Sequence, residues 1–238
     1  MAGPGENILC IDIGGSHIKG TVINYDGDYL QQYEREDTPS PPSPENIVQS
    51  VVSLSQRFSH FDKVTAGFPG YVKYGVVKTA PKLGNKMWKD FDLQAELKSK
   101  LEKPTLVIND ADFQGLSLAT GNGVEMLITL GTGFGSAVLL DGMLMPHLEM
   151  SQHPITKNKN YNDYLGQAAL DKIGKKRWNK RLEKVIGILK VVFNYDHLYI
   201  SGGSAKLIDF ELDKNISIVD NREGIKGGMV LWKQFNEE

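Results

Sequence analysis

The sequence predicts an α/β protein built as two similar lobes that face one cleft. Strand-like and helix-like segments alternate along the chain, which is the pattern of α/β folds. One arrangement occurs twice: strand, acid or hydroxyl, glycine turn, strand, at 8–24 and again at 125–142. The 238 residues are 40% hydrophobic and 24% charged, enough for one large domain or two small lobes.

The composition excludes several classes. A formal net charge of -2 gives no whole-chain field that favours nucleic acid. The single cysteine, Cys10, rules out an internal disulfide and any cysteine-based zinc site. It falls in the first strand, where core packing is its expected role. No apolar run approaches the ~18 residues of a membrane span. The start, MAGPGEN, has neither a basic segment nor an apolar one, so no signal peptide is expected and the cytoplasm is the default location.

The elements follow in order. Residues 8–24, ILCIDIGGSHIKGTVIN, read as a hairpin with Asp12 closing the first strand and Gly14 and Gly15 in the turn. Asp26, Gly27 and Asp28 make a turn, and a third strand is expected over 29–35. TPSPPSP at 38–44 is a rigid connection. Ser43 is a fitting N-cap with Pro44 at the first helical position, and the helix runs over 45–58 with Ile47, Val48, Val51, Val52 and Leu54 inward. A short strand over 63–68 breaks at Pro69 and Gly70. Residues 71–79 form a hairpin or extended segment, 80–85 a loop and 91–101 an amphipathic helix. A buried strand over 105–108 ends at Asn109 and Asp110, and a helix spans 111–120. Strands over 125–130 and 136–140 flank a glycine-rich turn. After a polar stretch, 147–166, one long helix is expected over 168–193, with Trp178, Leu182, Val185, Leu189 and Val192 as its stripe. Strands at 197–201 and 216–219 and a small-residue helix at 224–232 complete the chain.

Three glycine turns and one acidic pair carry the chemistry. Glycine lets backbone N–H groups approach an anion. An acid beside such a turn, as Asp12 is, suits a metal-bridged phosphate; the plain alternative is a glycine hairpin with a solvated Asp. The second turn, LGTGFG at 130–135, adds the Thr132 hydroxyl to Gly131, Gly133 and Gly135. It lacks the spacing and helix entry of a dinucleotide fingerprint, and the chain has no GxxxxGK[ST] loop. NDAD at 109–112 ends an apolar strand and opens a helix, so its residues serve as an N-cap or as a general base. A carboxylate at the C-terminal end of such a strand faces the crevice where α/β folds bind ligands. The third turn, SGGS at 201–204, fits a nucleotide's base and ribose or further phosphate.

In this order the pieces resemble the ROK family of sugar kinases, nearest its polyphosphate-using glucokinases, within the actin-like ATPase (ribonuclease H-like) superfamily. The likeness covers nearly the whole chain: DIGGSHIKG at 12–20, TPSP at 38–41, AGFPG at 66–70, NDAD, LGTGFG, SGGS, and GIKGGM at 224–229. The resemblance implies an N-terminal lobe at 1–115, joined by a terminal helix at 224–236, and a C-terminal lobe at 116–223. It implies phosphoryl transfer from ATP or polyphosphate, with Mg2+, to a hexose hydroxyl, with glucose 6-phosphate as the expected product. Asp110 would be the catalytic base and Asn109 a sugar partner. Asp12 would hold the metal. Gly14, Gly15, Ser16, Lys19, Gly131, Thr132, Gly133, Gly202 and Gly203 would serve phosphate or nucleotide. Gly67, Gly70 and Glu149 would serve the sugar. The expected partners are the sugar and the donor, with no nucleic acid or membrane, and the expected oligomer is a homodimer.

The chain departs from the family on the sugar side. Pro-Asn-Leu before a Trp becomes Pro81, Lys82, Leu83 and then Trp88. Glu-x-Gly-His becomes EMSQH at 149–153, so histidine is displaced to His153 or replaced by Gln152. The cysteine-rich zinc loop is absent. A lysine cannot accept a hydrogen bond and brings a charge. The acceptor is then a different, acidic or phosphorylated sugar, or its affinity is poor, or Asn85 serves through a shifted loop. A non-catalytic sugar or nucleotide sensor and a shape-changing ATPase are the rivals from other classes. Lys172, Lys176, Lys180 and Lys184 form an i,i+4 row on the long helix, read as a solvated face or as a landing strip for polyanions.

Overall fold

A computed structural model describes residues 6–220 and 222–235. Its principal elements, in chain order, are β1 (Ile8–Ile13), β2 (His17–Ile23), β3 (Glu34–Asp37), α1 (Pro44–Ser55), β4 (Lys63–Phe68), β5 (Val72–Lys73), β6 (Val76–Val77), α2 (Asn85–Trp88), β7 (Phe91–Asp92), α3 (Leu93–Leu101), β8 (Thr105–Asn109), α4 (Asp110–Leu118), β9 (Val124–Leu130), β10 (Phe134–Leu140), β11 (Met143–Leu144), β12 (Pro154–Thr156), β13 (Lys159–Asn160), α5 (Tyr161–Leu165), α6 (Gln167–Ile173), α7 (Lys175–Phe193), β14 (His197–Ser201), β15 (Ile216–Ile218) and α8 (Gly227–Phe235). The chain divides into two units, Met1–Ser117 with Gly224–Glu238, and Leu118–Glu223.

The first unit is built on a sheet of order β3-β2-β1-β4-β8. β1, β2 and β3 are antiparallel, whereas β1, β4 and β8 run parallel. The second unit repeats the plan as β11-β10-β9-β14-β15, antiparallel through β9 and parallel beyond it. The parallel strands are near-continuous apolar runs because both faces are covered. On one face of the first sheet, α1 and α3 pack Ile47, Val51, Leu54 and Leu97 against Leu9, Ile11 and Val64. On the other, α8 brings Met229 and Trp232 to Ile8, Cys10 and Phe113. A Cβ built on Gly228 would stand 2.6 Å from Cys10 Sγ, so the helix lies directly on the strand. Burial pushes the Cys10 thiol far up, which makes it a core residue without reactivity. In the second unit α7 packs Trp178, Leu182, Val185 and Leu189 on the sheet.

Local signals explain much of this. Ser43 caps α1, its hydroxyl accepting from Asn46 N–H at 3.3 Å, with Pro44 following. The expected strand at 29–35 is corrected: Tyr29 makes one bridge to Ile23, and β3 itself is Glu34–Asp37. The expected helix at 91–101 begins at Leu93, capped by Asp92, because Phe91 and Asp92 pair with β6. The single helix at 168–193 is two, α6 and α7. Gly174 sits between them at φ +76°, a conformation that a glycine adopts without strain. That break removes Lys172 from the lysine row of α7. The stripe also ends at Leu189, since Val192 is 65% exposed. The terminal helix begins at Gly227 after a 3-10 turn at Arg222–Lys226. Among the described residues no helix is long and apolar enough to cross a membrane.

Candidate active site

In the first unit, β1 and β2 run in register from Ile8 opposite Ile23 to Ile13 opposite Ile18, which sets Asp12 directly across from Lys19. Their charged atoms lie 3.9 Å apart. Between them the turn is closed by the Gly14 N–H donating to the His17 carbonyl at 2.9 Å. Thr38 braces the same turn from outside: its hydroxyl donates to the Gly14 carbonyl at 2.7 Å and its N–H to the Ser16 carbonyl at 3.0 Å. Gly15 and Ser16 are left exposed at the tip. A turn held this way presents N–H groups without a side chain in front of them.

Asn109 and Asp110 lie at the end of β8, two strands from β1. Asn109 is buried, and its Oδ1 accepts from the Ala111 and Asp112 N–H groups at 2.8 and 3.3 Å. Helix capping thus falls to Asn109, while its amide donates to the Gly70 carbonyl at 3.0 Å. Asp110, half-buried, accepts from the Ala111 N–H at 2.9 Å. Burial pushes the Asp12 carboxyl up to about 6; Lys19 opposes the rise, the Asp110 charge adds to it, and Lys82 opposes it. The strand-end acid and the lysine therefore both act on the hairpin acid within this unit. Asp12 also contributes, after burial, to holding the Tyr33 hydroxyl up to about 12.

Gly67 lies beneath the Phe113 ring, 3.2 Å from where a Cβ would stand. Gly70 allows the chain to pass against the Thr79 carbonyl, which a Cβ would strike. The segment after Thr79 is a tight turn: the Leu83 and Gly84 N–H groups donate to the Ala80 carbonyl at 3.1 and 2.9 Å, and Ala80 N–H donates to Asn85 Oδ1 at 2.6 Å. Asn85 thus spends its acceptor on closing the turn. Ala80 and Leu83 are buried, and Lys82 between them is exposed.

In the second unit the Leu130–Gly135 turn is also braced internally. Gly131 N–H donates to the Gly133 carbonyl at 3.1 Å, and Phe134 N–H to Asn162 Oδ1 at 2.9 Å. Those bonds leave the N–H groups of Thr132 and Gly133 without a partner among the described residues. The third turn folds onto the second: Ser204 N–H donates to the Leu130 carbonyl at 3.0 Å. Gly202 lies at φ +95°, where a Cβ would run into Leu130. Gly203 follows with open space around it. Glu149 accepts from the Ser151 hydroxyl and lies 3.7 Å from His147 Nε2. Gln152 donates to Ser151 at 3.0 Å, whereas His153 is exposed beside the Tyr161 ring.

Sequence reasoning missed Thr38 and Asn162. Each acts through a contact made 24 or 28 residues away, which no local pattern announces. On α7, Arg181 is committed to Tyr164, stacking 4.5 Å from its ring centre, and Lys175 and Lys190 pair with Asp209 and Asp213.

Metal binding can be tested against these groups. Among the described residues no cluster of three His, Cys, Asp or Glu side chains could hold a metal alone. Mg2+ does not require one, since it is held by one or two carboxylates together with waters and substrate phosphates. A desolvated Asp12 near a second carboxylate fits that need.

The two sheets and their glycine turns define a protein of the actin-like ATPase, ribonuclease H-like class. The polyphosphate/ATP-glucomannokinase of Arthrobacter sp. strain KM superposes with a TM-score of 0.86 at 28% identity, covering 97% of this chain and all of that one. A ROK glucokinase of Streptomyces griseus, solved with glucose and AMPPNP, shares the fold with a TM-score of 0.80 at 17% identity, over 96% and 99% of the two chains. The polyphosphate glucokinase of Mycobacterium tuberculosis is 30% identical over 224 residues, 89% of this chain and 82% of its own. The ROK family model matches residues 8–146. The chain belongs to the ROK family.

Proposed function

We propose that this chain is a hexose kinase. It transfers the terminal phosphoryl group of ATP or inorganic polyphosphate to a hexose hydroxyl, with glucose as the first acceptor to test. The observation that carries the reading is the placement of Asp110. It stands at a strand end in the same unit as the Gly14–Ser16 turn, and Asn109 relieves it of capping. Likeness to a polyphosphate glucokinase and to a polyphosphate/ATP-glucomannokinase supports testing both donors.

In the mechanism, Asp110 accepts the proton of the acceptor hydroxyl as its oxygen attacks phosphorus. The bond from phosphorus to the remaining donor chain breaks, and that chain leaves with the electron pair. The exposed N–H groups of Gly15 and Ser16, with Lys19, hold donor oxygens. In the second unit, the Thr132 and Gly133 N–H groups are of the same phosphate-binding kind. Asp12 would hold Mg2+, which when bound offsets charge on the phosphates. Asn109, Glu149 and Gln152 are the candidate sugar contacts. We place the protein in the cytoplasm as a homodimer, working on small molecules.

The test is a panel of hexoses, hexosamines and sugar acids crossed with ATP and polyphosphate, with sugar phosphate measured directly. Formation of glucose 6-phosphate from either donor supports the reading. Donor binding without transfer to any sugar would sink it in favour of a sensor.

A further inference from the structure

We propose that Lys82 is a donor-side residue: its ammonium holds the phosphoryl group at the Gly14–Ser16 turn, in place of contacting an acceptor hydroxyl. The inference rests on the reading of that turn as the donor-phosphate site. Its first support is position. A Cβ built on Gly15 would lie 3.6 Å from Lys82 Cβ and 3.9 Å from Lys82 Cδ, so the stem of the lysine passes the tip of the turn with room for about one methyl group between them. Its second support is the way that position is fixed. Ala80 and Leu83 are buried on either side, and three hydrogen bonds close the 80–85 turn around them. The anchors leave Lys82 outside the core and beside Gly15, its position set by its buried neighbours. The third support is charge. The positive charge of Lys82 reaches Asp12, the acid across the hairpin.

The chemistry of the turn calls for such a group. A terminal phosphoryl group in transfer carries negative charge on its equatorial oxygens. Lys19 lies 3.9 Å from Asp12, which takes up part of its charge. A second ammonium at the tip restores the balance. A lysine here acts as a compact point charge with three donors, able to follow the phosphoryl group without a fixed fork geometry. On the acceptor side Lys82 could only donate, since lysine has no acceptor for a hydroxyl proton and cannot bond a hydroxyl both ways as an amide does.

The test reads donor binding without turnover. Lys82→Asn and Lys82→Arg are compared with the parent chain by calorimetric titration, first with magnesium tripolyphosphate and then, separately, with glucose. Lys82 is exposed and its turn is held by its neighbours, so neither substitution disturbs the core. The expected result is that Lys82→Asn weakens tripolyphosphate binding about tenfold or more. Lys82→Arg should stay within about threefold of the parent, and glucose binding should not fall in either variant. Unchanged tripolyphosphate binding in Lys82→Asn overturns the proposal, as does a loss confined to glucose. The outcome is separable from that of the kinase reading. A chain that loses donor binding with Lys82 yet phosphorylates no sugar retains this assignment and refutes the hexose kinase. One that makes glucose 6-phosphate with full donor affinity in Lys82→Asn does the reverse.

Discussion

Asp12→Asn should stabilise the fold while abolishing phosphoryl transfer. Burial, assisted by the Asp110 charge, raises the Asp12 carboxyl from 3.8 to about 6. The unfolded chain therefore releases this proton first. Between those two values the native state binds more protons than the unfolded one, and stability falls as pH rises. Below pH ~3.8 the penalty is absent, and above pH ~6 it is complete. A shift of roughly two units corresponds to at most about 3 kcal/mol at ~1.36 kcal/mol per unit. The side chain keeps 30% exposure, and solvent screening reduces the figure to about 1–2 kcal/mol. The amide carries no charge and escapes the penalty. Urea unfolding without Mg2+ at pH 7.5 should show the variant ahead by that amount. At pH 4.5 the gain should shrink to roughly a third, because the native carboxyl is then mostly protonated. Added Mg2+ should stabilise the parent chain and not the variant. An equal gain at both pH values, or a variant less stable at pH 7.5, would refute the argument that a desolvated carboxylate is maintained there against the stability of the fold.

Two further outcomes follow from the same geometry. Asp110→Asn should lower the rate of sugar phosphorylation by about 10²–10⁴-fold. Because Asn109 carries the cap, the unfolding free energy from urea titration should stay within ~0.5 kcal/mol of the parent; a variant that works at the parental rate shows that another group takes the proton. Gly202→Ala forces a Cβ into Leu130 at a left-handed φ and should cost about 2 kcal/mol or more, read by unfolding of the purified chain. A loss under ~0.5 kcal/mol would mean that the third turn is not folded on the second as described.

What was legible in the sequence was what short-range physics decides. The β1–β2 hairpin, β4, β8 and the Ser43 cap each follow from an apolar run, a glycine pair or a capping residue within a few positions. The misses share a cause as well. The position of β3 is set by pairing with His17–Gly20 and by the two Thr38 bonds, so the strand falls on Glu34–Asp37 in spite of the aromatic residues before it. The 168–193 pattern has a continuous helical period, and only the backbone at Gly174 divides it. At the candidate site the identities of Asp12, Asn109 and Asp110 could be read from sequence. The division of labour between Asn109 and Asp110 could not, because either residue type caps a helix. The position of Lys82 was hidden for a different reason. It is fixed by the burial of its neighbours, while the lysine itself contributes nothing to the pattern.

Asn109 is a neutral amide that no change of pH can ionise. It starts α4 with its oxygen and secures Gly70 with its nitrogen. The scaffold that aims Asp110 therefore rests chiefly on Asn109; the carboxylate itself shares only the Ala111 N–H with it. A carboxylate that had to cap its own helix would loosen that helix each time it was protonated, and the proton acceptor would drift in the middle of its task. Here most of the mount is a different residue from the moving part, so the acid can be loaded and emptied in every cycle while the Asn109 bonds to Asp112 and Gly70 stay in place.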